Sequence, residues 1–116
     1  MKIKEALDRT FALRPDSFPQ EEKIAWLNEL DHQTYIEVFA THENNTASEA
    51  VFPYTAEAMD QELLIPSPYD KVYISYLKAR IEEAYGENDS YNNAVTMYQQ
   101  QLSDFRRYWH RKNRPI

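Results

Sequence analysis

The single glycine of this chain, Gly86, is the feature that most limits what the sequence can fold into. Phosphate-cradling loops of P-loop and dinucleotide-binding proteins need several glycines, so the sequence excludes both classes. Sheet-rich folds with many tight turns also depend on residues that accept a positive φ. The shortage of glycine therefore favours helices, and we expect an all-α fold.

Length and composition agree with one ordered domain. A chain of 116 residues normally forms one domain, so residues 1–116 are expected to be a single helical domain. The absence of cysteine excludes disulfides, thiolate zinc sites and thiol nucleophiles, and an intracellular location follows most easily. We expect neither a signal peptide nor a membrane span, because no stretch is sufficiently apolar.

Apolar residues recur at spacings of three and four in the first part of the chain, which predicts two helices. The first covers residues 2–13 and stops before Pro15. The second begins after a capping box formed by Ser17 and Gln20 and runs to about Thr41. The predicted apolar stripes are Ile3, Ala6, Leu7 and Phe11 in the first helix, and Ile24, Leu27, Leu30 or Asp31, Tyr35 and Val38 in the second, widened by Trp26, Ile36 and Phe39.

Residues 67–112 predict a third and a fourth helix that fold back as an antiparallel hairpin. Ser67 is the expected cap of the third helix, with Pro68 at its first position. Gly86 is the expected C-cap, and residues 88–90 supply the next N-cap. A heptad-like seam along the fourth helix consists of Tyr91, Val95, Tyr98, Leu102, Phe105 and Trp109.

The long connection of residues 43–66 lacks a helical pattern. It includes a short apolar run interrupted by Pro53, and residues 55–64 are compatible with one strand or one turn of helix. A connection of this length in a compact domain is usually functional or mobile. Phe52 and Tyr54 are therefore candidate partner contacts.

Charge is unevenly distributed along the chain. Residues 106–116 contain five basic side chains and no acid, whereas residues 1–105 contain 8 basic and 19 acidic side chains, so the net charges are +5 and −11. This polarity favours docking onto an acidic protein partner. Direct DNA contact is the weaker alternative, because the basic residues do not form a continuous footprint. The candidate contact residues are Arg106, Arg107, Arg111, Lys112 and Arg114.

The titratable residues do not suggest catalysis or metal binding. Asp31 and His32 are neighbours on a predicted helix and diverge, as do the acidic pairs at 21–22 and 82–83. The histidines are too scattered to predict a metal site: His32, His42 and His110. We therefore predict no enzyme activity, cofactor or metal.

Aromatic residues are the remaining conspicuous feature, with nine tyrosines in the chain. Tyrosine has a large apolar body and a polar tip, so Tyr69, Tyr73 and Tyr76 are compatible with either a core rim or an interface. Trp26 and Trp109 are expected in the core.

Several segments resemble small proteins encoded in the head-tail regions of tailed phages and prophages of Gram-positive bacteria. The resemblance is carried by residues 63–77 (LLIPSPYDKVYISYL), together with Gly86-Glu87 and residues 91–93. Upstream, Pro15 and residues 22–27 are similar to the same group. Together with Leu30-Asp31 these segments extend over most of the chain.

The resemblance implies a head-tail connector, also called an adaptor or head-completion protein. Such proteins are mainly helical and assemble as a ring beneath the portal, where they extend the channel for DNA. The implied partners are the portal protein and neighbouring connector or tail subunits, and the implied locations are the virion and the bacterial host cytoplasm. The family offers no catalytic residue to carry over.

Two other functions remain open at the level of sequence. A helical regulatory or DNA-binding module would bind duplex DNA through the basic tail in a salt-sensitive way. A small-ligand binder or enzyme would need a closed pocket with converging polar groups.

Overall fold

The computed structural model describes residues 1–41 and 51–112, which form four α-helices and no β-strand. The all-α prediction is therefore confirmed. A π-helical segment at Tyr35–Phe39 continues the second helix nearly to Thr41, the predicted end. The four helices are α1 (Ile3–Leu13), α2 (Gln20–Thr34), α3 (Val72–Tyr85) and α4 (Asn88–Lys112).

Helix α3 lies at the centre of the fold, where it packs against α1, α2 and α4. Helices α3 and α4 form the predicted hairpin. Gly86 is the predicted C-cap, with φ at +74°, and its N–H donates to the Glu83 carbonyl at 3.2 Å. Residues 88–90 are not a cap, because α4 already begins at Asn88 and they form its first turn.

The core lies around α3 and includes the predicted Trp26, which is buried, whereas Trp109 is only half-buried. The seam of α4 is buried at Leu102 and Phe105 but only partly at its earlier positions, where α4 packs mainly on α3. The largest fully buried side chains are Tyr73, Phe105, Ile3, Leu27, Ile65, Leu77, Ile81, Val72, Thr10, Thr34 and Asp31.

The buried side of α1 differs from the predicted stripe. Phe11 is 50% exposed, and its ring lies 5.7 Å from the Lys23 ammonium. Thr10 is buried instead. Its hydroxyl donates to the Ala6 carbonyl at 2.8 Å, which satisfies the polar group within the helix.

The capping box predicted at Ser17 is wrong. Helix α2 begins at Gln20 without a side-chain cap. The Ser17 hydroxyl instead lies 3.2 Å from the Tyr85 hydroxyl. Asp16 orders this linker, because its Oδ1 accepts the Phe18 N–H at 2.8 Å.

The predicted start of α3 is also wrong. The Ser67–Pro68 peptide is cis, and the Tyr69 N–H donates to the Pro66 carbonyl at 2.9 Å. This hydrogen bond closes a tight turn at the residues predicted to open the helix. Helix α3 therefore begins only at Val72.

The connection between the π-helical segment and α3 is described from Val51 onward, and we use "connection" for residues 51–71. Residues 55–64 form neither the strand nor the helical turn that the sequence allowed, but a series of turns. They run beside the start of the chain, where the Ile3 N–H donates to the Gln61 carbonyl at 3.0 Å. A single antiparallel bridge joins Lys2 to Glu62.

Candidate functional site

Asp31 lies in the core with 0% exposure and accepts three hydrogen bonds. The Tyr73 hydroxyl donates to Oδ1 at 2.6 Å, and the Tyr54 hydroxyl donates to Oδ2 at 2.5 Å. The Leu64 N–H donates to Oδ2 at 2.9 Å. Because an ionised carboxylate is purely an acceptor, three converging donors match it well. We call these four residues the Asp31 cluster.

Burial dominates the electrostatics of the Asp31 cluster. It raises the pKa of Asp31 to about 6, although the three hydrogen bonds act in the opposite direction. Burial, and then the neighbouring carboxylate, raise the pKa of Tyr54 and of Tyr73 well above the ordinary value. Both phenols therefore remain protonated donors at neutral pH.

The geometry of the Asp31 cluster supports a structural role. Proton transfer to a substrate would require access to the carboxylate, yet Asp31 is fully buried. The Tyr73 hydroxyl also accepts the Ile65 N–H at 2.7 Å, and the Tyr54 N–H donates to Asn28 Oδ1 at 3.0 Å. These hydrogen bonds join two parts of the connection, Tyr54 and residues 64–65, to helices α2 and α3.

The two aromatic residues predicted as partner contacts in the connection, Phe52 and Tyr54, differ in burial. Tyr54 is only 7% exposed, so its side chain is directed into the core in this conformation, and its role as a partner contact stays a prediction. Its hydroxyl is attracted inward by Asp31. Phe52 is half-buried and stacks on His32, with ring centroids 4.8 Å apart. Phe52 is therefore the more exposed of these two side chains.

The predicted basic contacts divide between two sides of α4. Arg106 faces the π-helical segment, where its Nη2 lies 2.9 Å from Glu37 Oε2. This ion pair joins α4 to the end of α2. Arg107, Arg111 and Lys112 lie on another side of α4, and Arg114 lies outside the described residues.

Tyr69 and Tyr108 lie beside these cations, and their ring centroids are 4.9 Å apart. The Lys112 ammonium lies 5.3 Å from the Tyr108 ring. Arg111 forms no ion pair with any described residue. We call the surface formed by Arg107, Arg111, Lys112, Tyr69 and Tyr108 the cationic stripe.

A shallow cavity of about 340 Å³ lies on the cationic stripe, lined by Tyr69, Asp104, Arg107 and Arg111. Arg107 Nη2 lies 2.5 Å from Asp104 Oδ1, one turn back along α4. Asp104 thus partly neutralises the positive charge of Arg107, whereas the guanidinium of Arg111 can bind an anion from solution.

The core below the cationic stripe fixes its position. Phe105 is 0% exposed, and its ring lies 5.9 Å from that of Tyr69 and 5.9 Å from that of Phe39. Phe39 also packs against Trp109 at 4.2 Å. These contacts hold the last turns of α4 on the body, so the cationic stripe is formed before any partner arrives.

A second depression of about 450 Å³ separates α2 from the hairpin. Two of its lining residues form an ion pair, with Arg80 Nη2 3.5 Å from Glu29 Oε2. Tyr76 and Tyr98 meet edge to face at 5.3 Å on its floor. Of the three tyrosines predicted at the core rim or at an interface, Tyr73 and Tyr76 are buried and Tyr69 is half-buried.

Residues 1–41 and 51–112 contain no group of three histidines or acids placed to hold a metal ion. The adjacent acids of α3 diverge as expected, because Glu82 is buried against Arg14 while Glu83 is exposed. His42 lies outside the described residues.

No helix within the described part of the chain has both the length and the apolar character needed to cross a membrane. Comparison of the chain with protein family models, curated proteins and solved structures gives no match.

Proposed function

We propose that this chain is a non-enzymatic assembly protein that acts as a head-tail connector in a tailed phage or prophage. The single observation that carries the proposal is the cationic stripe, a preformed surface of opposite charge to the rest of the chain. Its partners would be the portal protein and neighbouring connector or tail subunits, and a ring of copies in the virion is the expected assembly.

The composition of the cationic stripe supports docking. Tyrosine and arginine are enriched at protein interfaces and at their energetic hot spots. Stabilisation of the helix dipole also explains cations in a last turn, and such an effect is worth about 0.3–1 kcal/mol. It does not explain why the aromatic pair of Tyr69 and Tyr108 adjoins these cations.

The charge of the remaining chain supports association between unlike surfaces. Residues 1–105 carry a net charge of −11, so a second copy or another acidic subunit would be attracted to the cationic stripe. A ring requires two different complementary faces on each subunit. The resemblance at residues 63–77 supports the head-tail connector as the specific form of this role.

The test is attachment to the portal encoded in the same phage or prophage genome. A variant with Arg107→Glu, Arg111→Glu and Lys112→Glu should lose co-sedimentation with assembled portal rings, since it reverses every cation of the stripe. Arg106 is left unchanged because its ion pair with Glu37 supports the fold. The matched control reverses three exposed cations near the start of the chain: Lys2, Lys4 and Arg9.

The proposal requires the control to attach as the wild type does, with both variants retaining their helical circular dichroism. Equal attachment of wild type and stripe variant would refute it. Absence of portal and capsid genes near the gene would count against the connector. Tight, salt-sensitive binding of duplex DNA through the stripe, with no portal binding, would favour the regulatory alternative.

A further inference from the structure

We infer that the cationic stripe binds an acidic segment of a partner protein, one that presents two carboxylates about 6 Å apart beside an apolar side chain. The inference rests on the proposed function, because a docking role is what supplies a partner. The cationic stripe would recognise the carboxylates through its arginines and the apolar side chain through its tyrosines.

The spacing of the two arginines sets the spacing of the carboxylates. Arg107 and Arg111 are four positions apart on α4, so their side chains leave the helix on one side about 6 Å apart. A guanidinium binds a carboxylate through two parallel hydrogen bonds, which favours this planar anion. Arg111 is available for such a pair, while Arg107 is already oriented by Asp104.

The aromatic pair supplies the apolar part of the surface. Tyr69 packs on Tyr108 at 4.9 Å and on the buried Phe105 at 5.9 Å, so both rings are supported from below. Neither hydroxyl forms a hydrogen bond with another described residue. The rings can cover an aliphatic side chain while a hydroxyl donates to one of the two carboxylates.

Size and charge make the stripe a poor match for nucleic acid. From Arg107 to Lys112 the helix rises only about 7.5 Å, whereas strong duplex binding uses several phosphate contacts along a track. Asp104 lies inside the cavity, and Glu37 lies on the neighbouring side of α4. Both carboxylates repel a polyanionic backbone that extends along the surface, while a short acidic segment can place its two charges at Arg107 and Arg111.

The test measures fluorescence anisotropy of a labelled helical peptide bound to the full chain. The peptide carries two glutamates four residues apart, with a leucine three residues after the first, so that all three face one side. The comparison probes are a peptide of the same composition with the glutamates on opposite sides, and a short duplex DNA. The wild type should bind the first peptide at least about tenfold more tightly than either comparison probe.

Substitutions separate specific recognition from general attraction. Arg111→Ala should weaken binding at least about tenfold, and Arg111→Lys should also weaken it, because lysine keeps the charge but loses the planar pair of donors. Tyr69→Ala should reduce the preference for the peptide that contains leucine over one with alanine in its place. The control Arg9→Ala, on α1, should bind like the wild type.

Three outcomes would overturn the inference: unchanged binding by Arg111→Ala, equal binding of both peptides, and tighter binding of DNA than of the first peptide. The tests of the inference and of the proposed function fail separately. If the peptides behave as expected while the charge-reversed stripe still attaches to the portal, only the proposed function fails. If the charge-reversed variant no longer attaches to the portal but the wild type binds both peptides with equal affinity, only the inference about the acidic segment fails.

Discussion

The Asp31 carboxylate fixes the connection to the helices, and its two tyrosine donors can be removed one at a time. Tyr54→Phe deletes the hydroxyl that donates to Oδ2 at 2.5 Å and leaves the ring in place. Hydrogen bonds to charged groups contribute about 1.5–3 kcal/mol, so the free energy of unfolding should fall by an amount in this range. Urea denaturation measures the change.

Tyr91→Phe is the matched control for this prediction. Tyr91 is half-exposed on α4, and its hydroxyl has no hydrogen bond to another described residue. Its removal should change the free energy of unfolding by less than about 0.5 kcal/mol. If both variants had the same stability, the Asp31 cluster would not hold the connection as described.

The raised pKa of Asp31 predicts the sign of a pH effect. Burial raises this pKa from 3.8 to about 6, so the folded protein binds a proton more readily than the unfolded chain between these values. The stability that this group contributes is therefore fully present below the lower value and is lost as the pH rises through the higher one. Two pKa units correspond to about 3 kcal/mol.

Comparison with Asp31→Asn isolates this effect, because all other titrating groups are common to both proteins. The unfolding free energy of the wild type minus that of the variant should fall by about 2 kcal/mol between pH 4 and pH 7, because part of the full effect is already lost at pH 4. Denaturation curves at intervals of one pH unit would measure it. A difference that grew with pH would mean that the folded protein favours the ionised form, contrary to the account.

The sequence placed Asp31 within an apolar stripe but could not assign its role. The stripe continues from Leu27 to Tyr35 through either Leu30 or Asp31, and the sequence left these two residues open. Its donors are distant in sequence: Tyr54 is 23 residues away and Tyr73 is 42. Nothing in local periodicity brings these hydroxyls together, so the cluster appears only in the folded chain.

The hairpin of α3 and α4 depends on the backbone conformation of Gly86. A Cβ added there would meet no atom within 4 Å, yet φ is +74°. Gly86→Ala should therefore lower the free energy of unfolding by about 1–2 kcal/mol through backbone strain alone. Thermal or urea denaturation measures this effect.

Gly86→Asn is the control for the hairpin turn, because asparagine enters the left-handed region more easily than alanine. It should be clearly more stable than the alanine variant. If alanine were tolerated as well as asparagine, the positive φ would not be needed to end α3.

The presence of each helix was predictable, but its first residue was not. Spacings of three and four report the buried side of a helix over many residues, so four helices and the hairpin were found. The first residue of a helix depends on a single capping side chain, and that side chain can form other contacts instead. Ser17 contacts Tyr85, and the turn closed by Tyr69 replaces the cap expected at Ser67.

The whole molecule combines an acidic body with a cationic end. The uneven charge was visible in the sequence, as was the group of basic residues that includes the stripe. The sequence did not separate Arg106, which pairs with Glu37, from the cations on the other side of α4. It also gave no indication that Tyr69, from the connection, joins them.

We propose that the C-terminal end of α4 is the docking surface for the portal. Electron microscopy of the chain mixed with assembled portal rings tests it most directly, because α4 is 25 residues and so about 37 Å long, which orients the subunit in a map. We expect portal density against Arg107, Arg111 and Lys112, with the turn at Gly86 pointing away. Attachment through the Gly86 turn, or rings that remain bare at saturating concentration, would contradict it.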